Sequence, residues 1–195
     1  MPRSRPRLVH TLRLDGGERV TLRPVGPADA GPLQAYVRAL SPQARYSRFF
    51  GPLYELPPAE LDRVIHLDRK RQLALLAEAR IEGAWTTLGE ARYALSPDRS
   101  EFEFALSVAD RFHGRGIGAL LLADLECRAK DLGARYLVGD VLRTNEAMQG
   151  LARKAGFAMT AVPRDARVVR IVKDLALSQT EPSEAPAAPA LPIAA

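Results

Sequence analysis

The stretch Phe112-His113-Gly114-Arg115-Gly116-Ile117-Gly118 runs straight into Ala119-Leu120-Leu121-Leu122, so three glycines on alternate positions stand where an apolar helix begins. Glycines bring no packing surface. What they bring is a main chain that bends into positive φ and lets a neighbour come close. At a helix start the first N–H groups have no intrahelical partner and the peptide dipoles present their positive end. A pyrophosphate suits such a turn, held by main chain, with Arg111 and Arg115 at hand for further charge. The stretch therefore predicts strand, turn and helix in succession, and it points to a nucleotide-like cofactor. A turn that binds nothing is the plain alternative.

A dinucleotide fingerprint is the nearest competing pattern. Gly114, Gly116 and Ala119 fit its spacing, and Asp140 follows about 20 residues on, as that fingerprint asks. That fingerprint follows its strand without a break. Here Ala109-Asp110-Arg111 intervenes after a strand predicted over 101–108. Glu101 and Glu103 also share one face of that strand, which argues against a parallel strand covered on both sides. The dinucleotide reading ranks low.

A length of 195 residues suits one domain, and a hydrophobic share of 47% supplies an ordinary core. The single cysteine, Cys127, excludes an intrachain disulfide and fits a reducing compartment, so a cytoplasmic location is expected. Cys127 itself reads as a small buried hydrophobe, with no basic partner beside it. No apolar run approaches the ~18 residues of a membrane span, and no secretory core follows the start, so no membrane role is expected. The net charge of +5 is partly terminal, because Arg3, Arg5, Arg7 and Arg13 precede the first acid, Asp15. It reads as a solvated basic tail. No recognition-helix, zinc-finger or aromatic RNA-binding signature accompanies it, and no nucleic acid is expected.

Along the chain, residues 1–17 read as a basic disordered segment ending in the turn Asp15-Gly16-Gly17, the domain spans 18–176, and repeated Pro and Ala make 177–195 a disordered tail. Alternation over 19–25 predicts a half-buried strand. A helical pattern runs from Pro27 and Asp29 to Leu40, and Ser41-Pro42 starts a second helix with Ser as N-cap. That helix should end at Gly51-Pro52, with Tyr46, Phe49 and Phe50 expected in the core. A third helix opens at Pro57-Pro58. Strands over 72–79 and 86–94 meet across Glu82-Gly83, and Ser96-Pro97-Asp98 turns the chain into the strand 101–108. After the glycines a helix runs to about Leu132, with Ile117, Leu121 and Leu125 inward and Leu120 and Ala129 offset; Gly133 is its expected stop. The strand 136–141 follows a helical crossover and should lie parallel to its predecessor. A helix from Asn145 to Gly156 and a strand pair over 157–162 and 168–172 complete the order.

This order resembles the GNAT superfamily of N-acetyltransferases, and two motifs carry the likeness. The family's glycine motif aligns on His113, Gly116 and Gly118, with His in place of the usual Gln or Arg; the second begins at Asn145 and ends Leu151-Ala152-Arg153-Lys154-Ala155-Gly156-Phe157. Upstream, Arg48-Phe49-Phe50, Glu55-Leu56, Glu60-Leu61, His66-Leu67-Asp68, Arg71 and Ala74-Leu75 are similar to the acetyltransferase domain of bacterial Pat-type protein lysine acetyltransferases. No regulatory domain of the kind often fused in that family is expected here. His66 and Asp68 have no evident metal partner, and no metal site is expected.

The resemblance implies an α/β (α+β) fold: a mixed, largely antiparallel sheet with one parallel pair splayed at the cofactor site and helices on both faces. It implies acetyl-CoA as acyl donor. Leu106, Ser107 and Val108 would hold the pantetheine and polarise the carbonyl; His113, Gly114, Arg115, Gly116, Ile117, Gly118 and Ala119 would take the pyrophosphate; Asn145, otherwise a good N-cap, would touch the cofactor. A lysine ammonium has a pKa near ~10.4, so a base must free the amine. Glu103 falls where the Pat-type enzymes carry a catalytic glutamate, with Glu101 as the fallback. Many relatives place a tyrosine where this chain has Ala152, so water or the Ser107 hydroxyl is left to protonate the departing thiolate. The implied reaction is direct acetyl transfer to a protein lysine by a monomer or weak homodimer. A small-molecule amine acetyltransferase and a non-catalytic acyl-CoA sensor are the alternatives.

Overall fold

The computed structural model describes residues 12–68, 71–96, 101–163 and 165–176. The terminal segments 1–11 and 177–195 and the turn at Pro97-Asp98 lie outside the described residues. The first strands, β1 (Leu12–Arg13) and β2 (Arg19–Pro24), pair through the turn at Asp15-Gly16-Gly17. The domain therefore starts earlier than the expected boundary at residue 18: Leu14 is buried in the core, so the hairpin belongs to the fold.

Three helices come next. A 3-10 turn at Pro27–Asp29 leads into α1 (Ala30–Ala39), and α2 (Pro42–Phe49) and α3 (Pro58–Ile65) follow. Ser41 caps α2 as expected, its Oγ accepting from the Ala44 N–H at 3.1 Å. The helix ends at Phe49, two residues before Gly51. Phe50 itself takes the left-handed C-cap at φ 57° and donates its N–H to the Tyr46 carbonyl. Phe50 is exposed there, and so is Tyr46 within the helix, rather than in the core as expected.

The central meander is β3 (Gln72–Ile81), β4 (Ala84–Leu95) and β5 (Glu101–Val108). Glu82 and Gly83 both adopt positive φ at the β3–β4 turn, the geometry of a tight hairpin. Beyond β5 lie α4 (Ile117–Asp131), β6 (Tyr136–Leu142), α5 (Glu146–Lys154), β7 (Ala158–Ala161) and β8 (Val168–Asp174). Gly133 and Gly156, both at positive φ, follow α4 and α5 as expected. On α4, Leu122 joins the inward face and Cys127 is exposed, against expectation, because it lies on the helix side turned from the sheet.

All eight strands form one sheet in the order β1-β2-β3-β4-β5-β6-β8-β7. Every neighbouring pair is antiparallel except β5 and β6. Helices α1 and α3 pack on one face over Val25, Ala74 and Leu76. Helix α4 packs on the other, where Ile117, Leu121 and Leu125 meet Leu75, Ala91 and Phe102. Phe102, fully buried, stands edge-on to Tyr93 with ring centroids 4.6 Å apart. Replacing it by alanine removes that pair and leaves a cavity behind the parallel strands. Phe102→Ala is expected to cost about 3–5 kcal/mol, measured by urea unfolding at neutral pH.

Candidate active site

The two parallel strands stay together for only three rungs, Glu101 with Tyr136, Phe102 with Leu137 and Glu103 with Val138. Past that point β5 keeps its partner β4 through Val108, and β6 keeps its partner β8 through Leu142. The strands have parted from each other, not from the sheet. The N–H of Ala109 donates to Leu88 on β4 at 2.8 Å. Alternation along the strand then turns the main-chain groups of Val108 and Leu106 the other way, toward the gap. One of these exposed groups is already used: the Val108 carbonyl meets His113 Nε2 at 2.8 Å. The cleft between the strands is lined by Phe104, Ala105 and Leu106 from β5, Gly139, Asp140 and Val141 from β6, and Asn145 and Met148 at the head of α5. Ser47, Arg48 and Phe50 close it from α2.

The glycine turn lies at the end of the same strand. Gly114 (φ 74°) and Gly116 (φ 81°) hold the left-handed conformation that side chains resist, and Gly116 is the N-cap of α4. No side chain caps that helix, and its first main-chain bond runs from Leu120 to Gly116. The N–H groups of Ile117, Gly118 and Ala119 therefore face outward. Gly118 serves packing: a Cβ there would come within 3.2 Å of Leu151 on α5. Arg111 and Arg115 both stack on the Phe112 ring, at 4.7 and 5.5 Å, which keeps two cations beside the turn. Open amides on the strand, an uncapped helix start and two arginines form a track that fits an anionic, amide-bearing ligand.

Other expected residues are placed as follows. Asn145 caps α5, its Oδ1 accepting from the Met148 N–H at 3.1 Å, and it also lines the cleft. Glu103 is exposed at the last paired rung, with no hydrogen-bond or ion-pair partner among the described residues. Glu101 is half-buried on the same strand, two residues nearer the closed end of the pair. Ala152 is fully buried in the core. Ser107 turns away from the gap: its main chain pairs with Glu90 on β4, and its hydroxyl is buried against the Tyr36 hydroxyl (3.0 Å) and Glu90 Oε1 (3.4 Å). The expectation that Ser107 meets the ligand and lends its hydroxyl to a thiolate is thereby corrected. Its side chain shares a face of β5 with Glu101 and Glu103, and what separates it from them is packing: Tyr36 and Glu90 cover the Ser107 end of that face.

Sequence reading missed the cluster that Ser107 joins. Glu90 is 1% exposed, and Arg48 Nε and Arg92 Nε donate to its two oxygens at 2.5 and 2.9 Å. Burial pushes the Glu90 carboxyl up, but the two guanidiniums outweigh burial and hold it below the usual range. Burial drives the Tyr36 hydroxyl far up, so it stays protonated as a donor. Asp110, just before the glycine turn, accepts from the Ser41 N–H at 3.1 Å and hydroxyl at 2.7 Å, tying the turn to the start of α2. Burial opposes its charge, and the Ser41 bonds overcome that and lower its pKa. The clue in the chain was Glu90 and Arg92, charged and spaced two apart within a strand whose remaining residues carry no charge.

Among the described residues no group of three His, Cys, Asp or Glu side chains is placed to hold a metal, and no helix is long and apolar enough to cross a membrane. His66, at the end of α3, contacts Asp62 through Nδ1 at 3.1 Å.

Residues 19–158 match the family profile described as acetyltransferase (GNAT) domain. An acetyltransferase of Pseudomonas aeruginosa is 30% identical over 164 residues, 84% of this chain and 87% of that protein. Among solved structures, the GNAT domain of S. lividans PAT superposes with a TM-score of 0.75 at 26% identity, covering 85% of this chain and 96% of that one. The yncA protein of Salmonella typhimurium, solved with its cofactor acetyl-CoA, superposes at 0.63 with 19% identity, covering 80% of this chain and 94% of that one, a likeness of fold.

A folded-state carboxyl held below its unfolded pKa stabilises the protein above the ordinary carboxylate range and loses that contribution as pH falls. Stability should therefore decline on acidification below pH ~4–5. In Glu90→Gln two buried guanidiniums lose their counter-charge, which is expected to cost about 3–5 kcal/mol at pH 7 and to flatten the acid slope, read by chemical denaturation across pH.

Proposed function

We propose, from the premise that this chain belongs to the GNAT acetyltransferase family, that it moves an acetyl group from acetyl-CoA to a primary amine, a protein lysine Nε-amine in particular. The observation that carries the reading is the parting of β5 from β6 above Glu103, which leaves main-chain amides of Leu106 and Val108 open beside an uncapped, glycine-led helix. The bound donor supplies a thioester, whose thiolate departs readily because the parent thiol has a pKa of about 8.5. The amides of Ile117, Gly118 and Ala119, with Arg111 and Arg115, take the pyrophosphate. The Leu106 and Val108 amides orient the pantetheine and favour negative charge on the thioester oxygen.

Glu103 is the proposed base. It stands exposed at the fork, making no side-chain hydrogen bond or ion pair among the described residues, with the Arg170 guanidinium near enough to feel its charge. Asp140, also at the fork, is engaged by Arg170 in two bonds of 2.8 and 3.0 Å and is unsuited to that task. Ala152 brings no hydroxyl, so the departing thiolate takes its proton from water. The lysine acceptor is supported by the upstream run beginning Arg48-Phe49-Phe50 and by the likeness to the GNAT domain of S. lividans PAT. Phe50, exposed, lines the cleft, and Tyr46 is exposed on the helix that Phe50 caps.

Thiol release from acetyl-CoA, assayed against lysine peptides, whole proteins and small amines, tests the acceptor class. Preference for a small amine would move the chain to that branch. Glu103→Gln is expected to lower kcat by about 10²–10⁴ while the dissociation constant for acetyl-CoA, measured by calorimetry, changes little. Donor binding without turnover, indifferent to Glu103, would identify a sensor instead.

A further inference from the structure

Arg48 is a charged residue of the cleft wall to which the acetyl-transfer reading gives no task. It projects from α2, lines the cleft, and its side chain is only 9% exposed. Its Nε is bonded to Glu90 and its guanidinium stacks 4.9 Å over the Phe49 ring, so the group is fixed from two sides. A guanidinium has five N–H donors. Those on the two Nη atoms of Arg48 have no partner among the described residues. These nitrogens are not sealed from solvent, so an oxygen of a ligand in the cleft can take the place of water on them.

The surrounding charges select the kind of oxygen. Glu90 is fully buried and balances Arg48 at its root, while Arg92, the second guanidinium on Glu90, is also paired with Glu60 at 3.3 Å. Two cations and two carboxylates leave the cluster near neutrality. Arg48 therefore offers directed N–H groups rather than a free positive charge. Such a donor suits a neutral carbonyl better than a carboxylate, and it does not repel an approaching amine as an unpaired cation would. Glu90 and its partner Ser107 then hold the donor at a fixed distance from the strand that carries Leu106.

We propose that Arg48 is a substrate-binding residue whose Nη groups hydrogen-bond a carbonyl oxygen in the cleft. The carbonyl belongs either to the thioester of the donor or to the peptide main chain of the acceptor. The inference rests on acetyl-CoA occupying the parted strands, and the experiment separates the two. Wild type, Arg48→Lys and Arg48→Gln, each checked for folding by circular dichroism, are titrated calorimetrically with CoA and with acetyl-CoA. Their Michaelis constants are then compared for a lysine peptide and for propylamine, which has no carbonyl.

If the thioester is the partner, preference for acetyl-CoA over CoA falls about tenfold in both variants while CoA affinity holds. If the acceptor is the partner, the Michaelis constant for the peptide rises about tenfold and that for propylamine does not. The lysine variant keeps a cation for Glu90 and decides the matter if the glutamine variant fails to fold. An unchanged donor preference together with unchanged or unmeasurable acceptor kinetics overturns the proposal, as does an equal loss of CoA and acetyl-CoA affinity. Wild type that binds no acetyl-CoA overturns the donor reading and this inference with it.

Discussion

The parting of β5 from β6 is the constraint on which the rest depends. A strand inside a sheet normally satisfies main-chain groups on both edges, and buried amides left open are costly. Here β5 is anchored by β4 along its length and abandoned by β6 after Glu103. The exposed edge is short, flanked by side chains of both strands, and capped at its end by the His113 contact to the Val108 carbonyl. What remains open is a row of N–H and C=O groups of the kind an amide-bearing ligand can complete, as a peptide completes a sheet edge.

Keeping that edge in place falls to the buried cluster on the helix side. Tyr36 of α1, Arg48 of α2, Glu90 and Arg92 of β4 and Ser107 of β5 meet around one carboxylate, so two helices and two strands share a single charge balance. Such a cluster is poor evidence for stability, because the desolvation of Glu90 and its partners offsets much of their attraction. Its directional bonds do specify geometry. They set the depth of α2 over the cleft and leave Phe50 at its mouth. Asp110 adds a second link, through Ser41, between the glycine turn and the start of α2, so the two sides of the cleft are not independent.

Much of this was legible in the chain. The glycines at 114, 116 and 118 announced the turn, and the structure gives the first two positive φ and the third a close helix contact. Ser41 and Asn145 were recognisable as caps because the cap depends on a local side chain and the next three residues. The parallel relation of β5 and β6 followed from the helix between them. Less legible were Tyr46, Phe50 and Cys127, whose exposure departs from what their apolar character suggested. Hydrophobicity states a preference for burial, and tertiary packing decides which residues obtain it.

What the sequence determined by itself was local or periodic: the order of elements, the uncapped glycine-led helix, and the strand carrying Glu101, Glu103 and Ser107. Only the tertiary structure decided which of those residues face the cleft. Glu101, Glu103 and Ser107 share one face of β5, and it is the neighbours packed on that face that divide them: Glu103 stays exposed at the fork, while Tyr36 and Glu90 cover Ser107. Glu90, Arg48 and Tyr36 are separated by up to 54 residues in sequence; no local pattern joins them, and their meeting is fixed by the packing of α1 and α2 on the sheet.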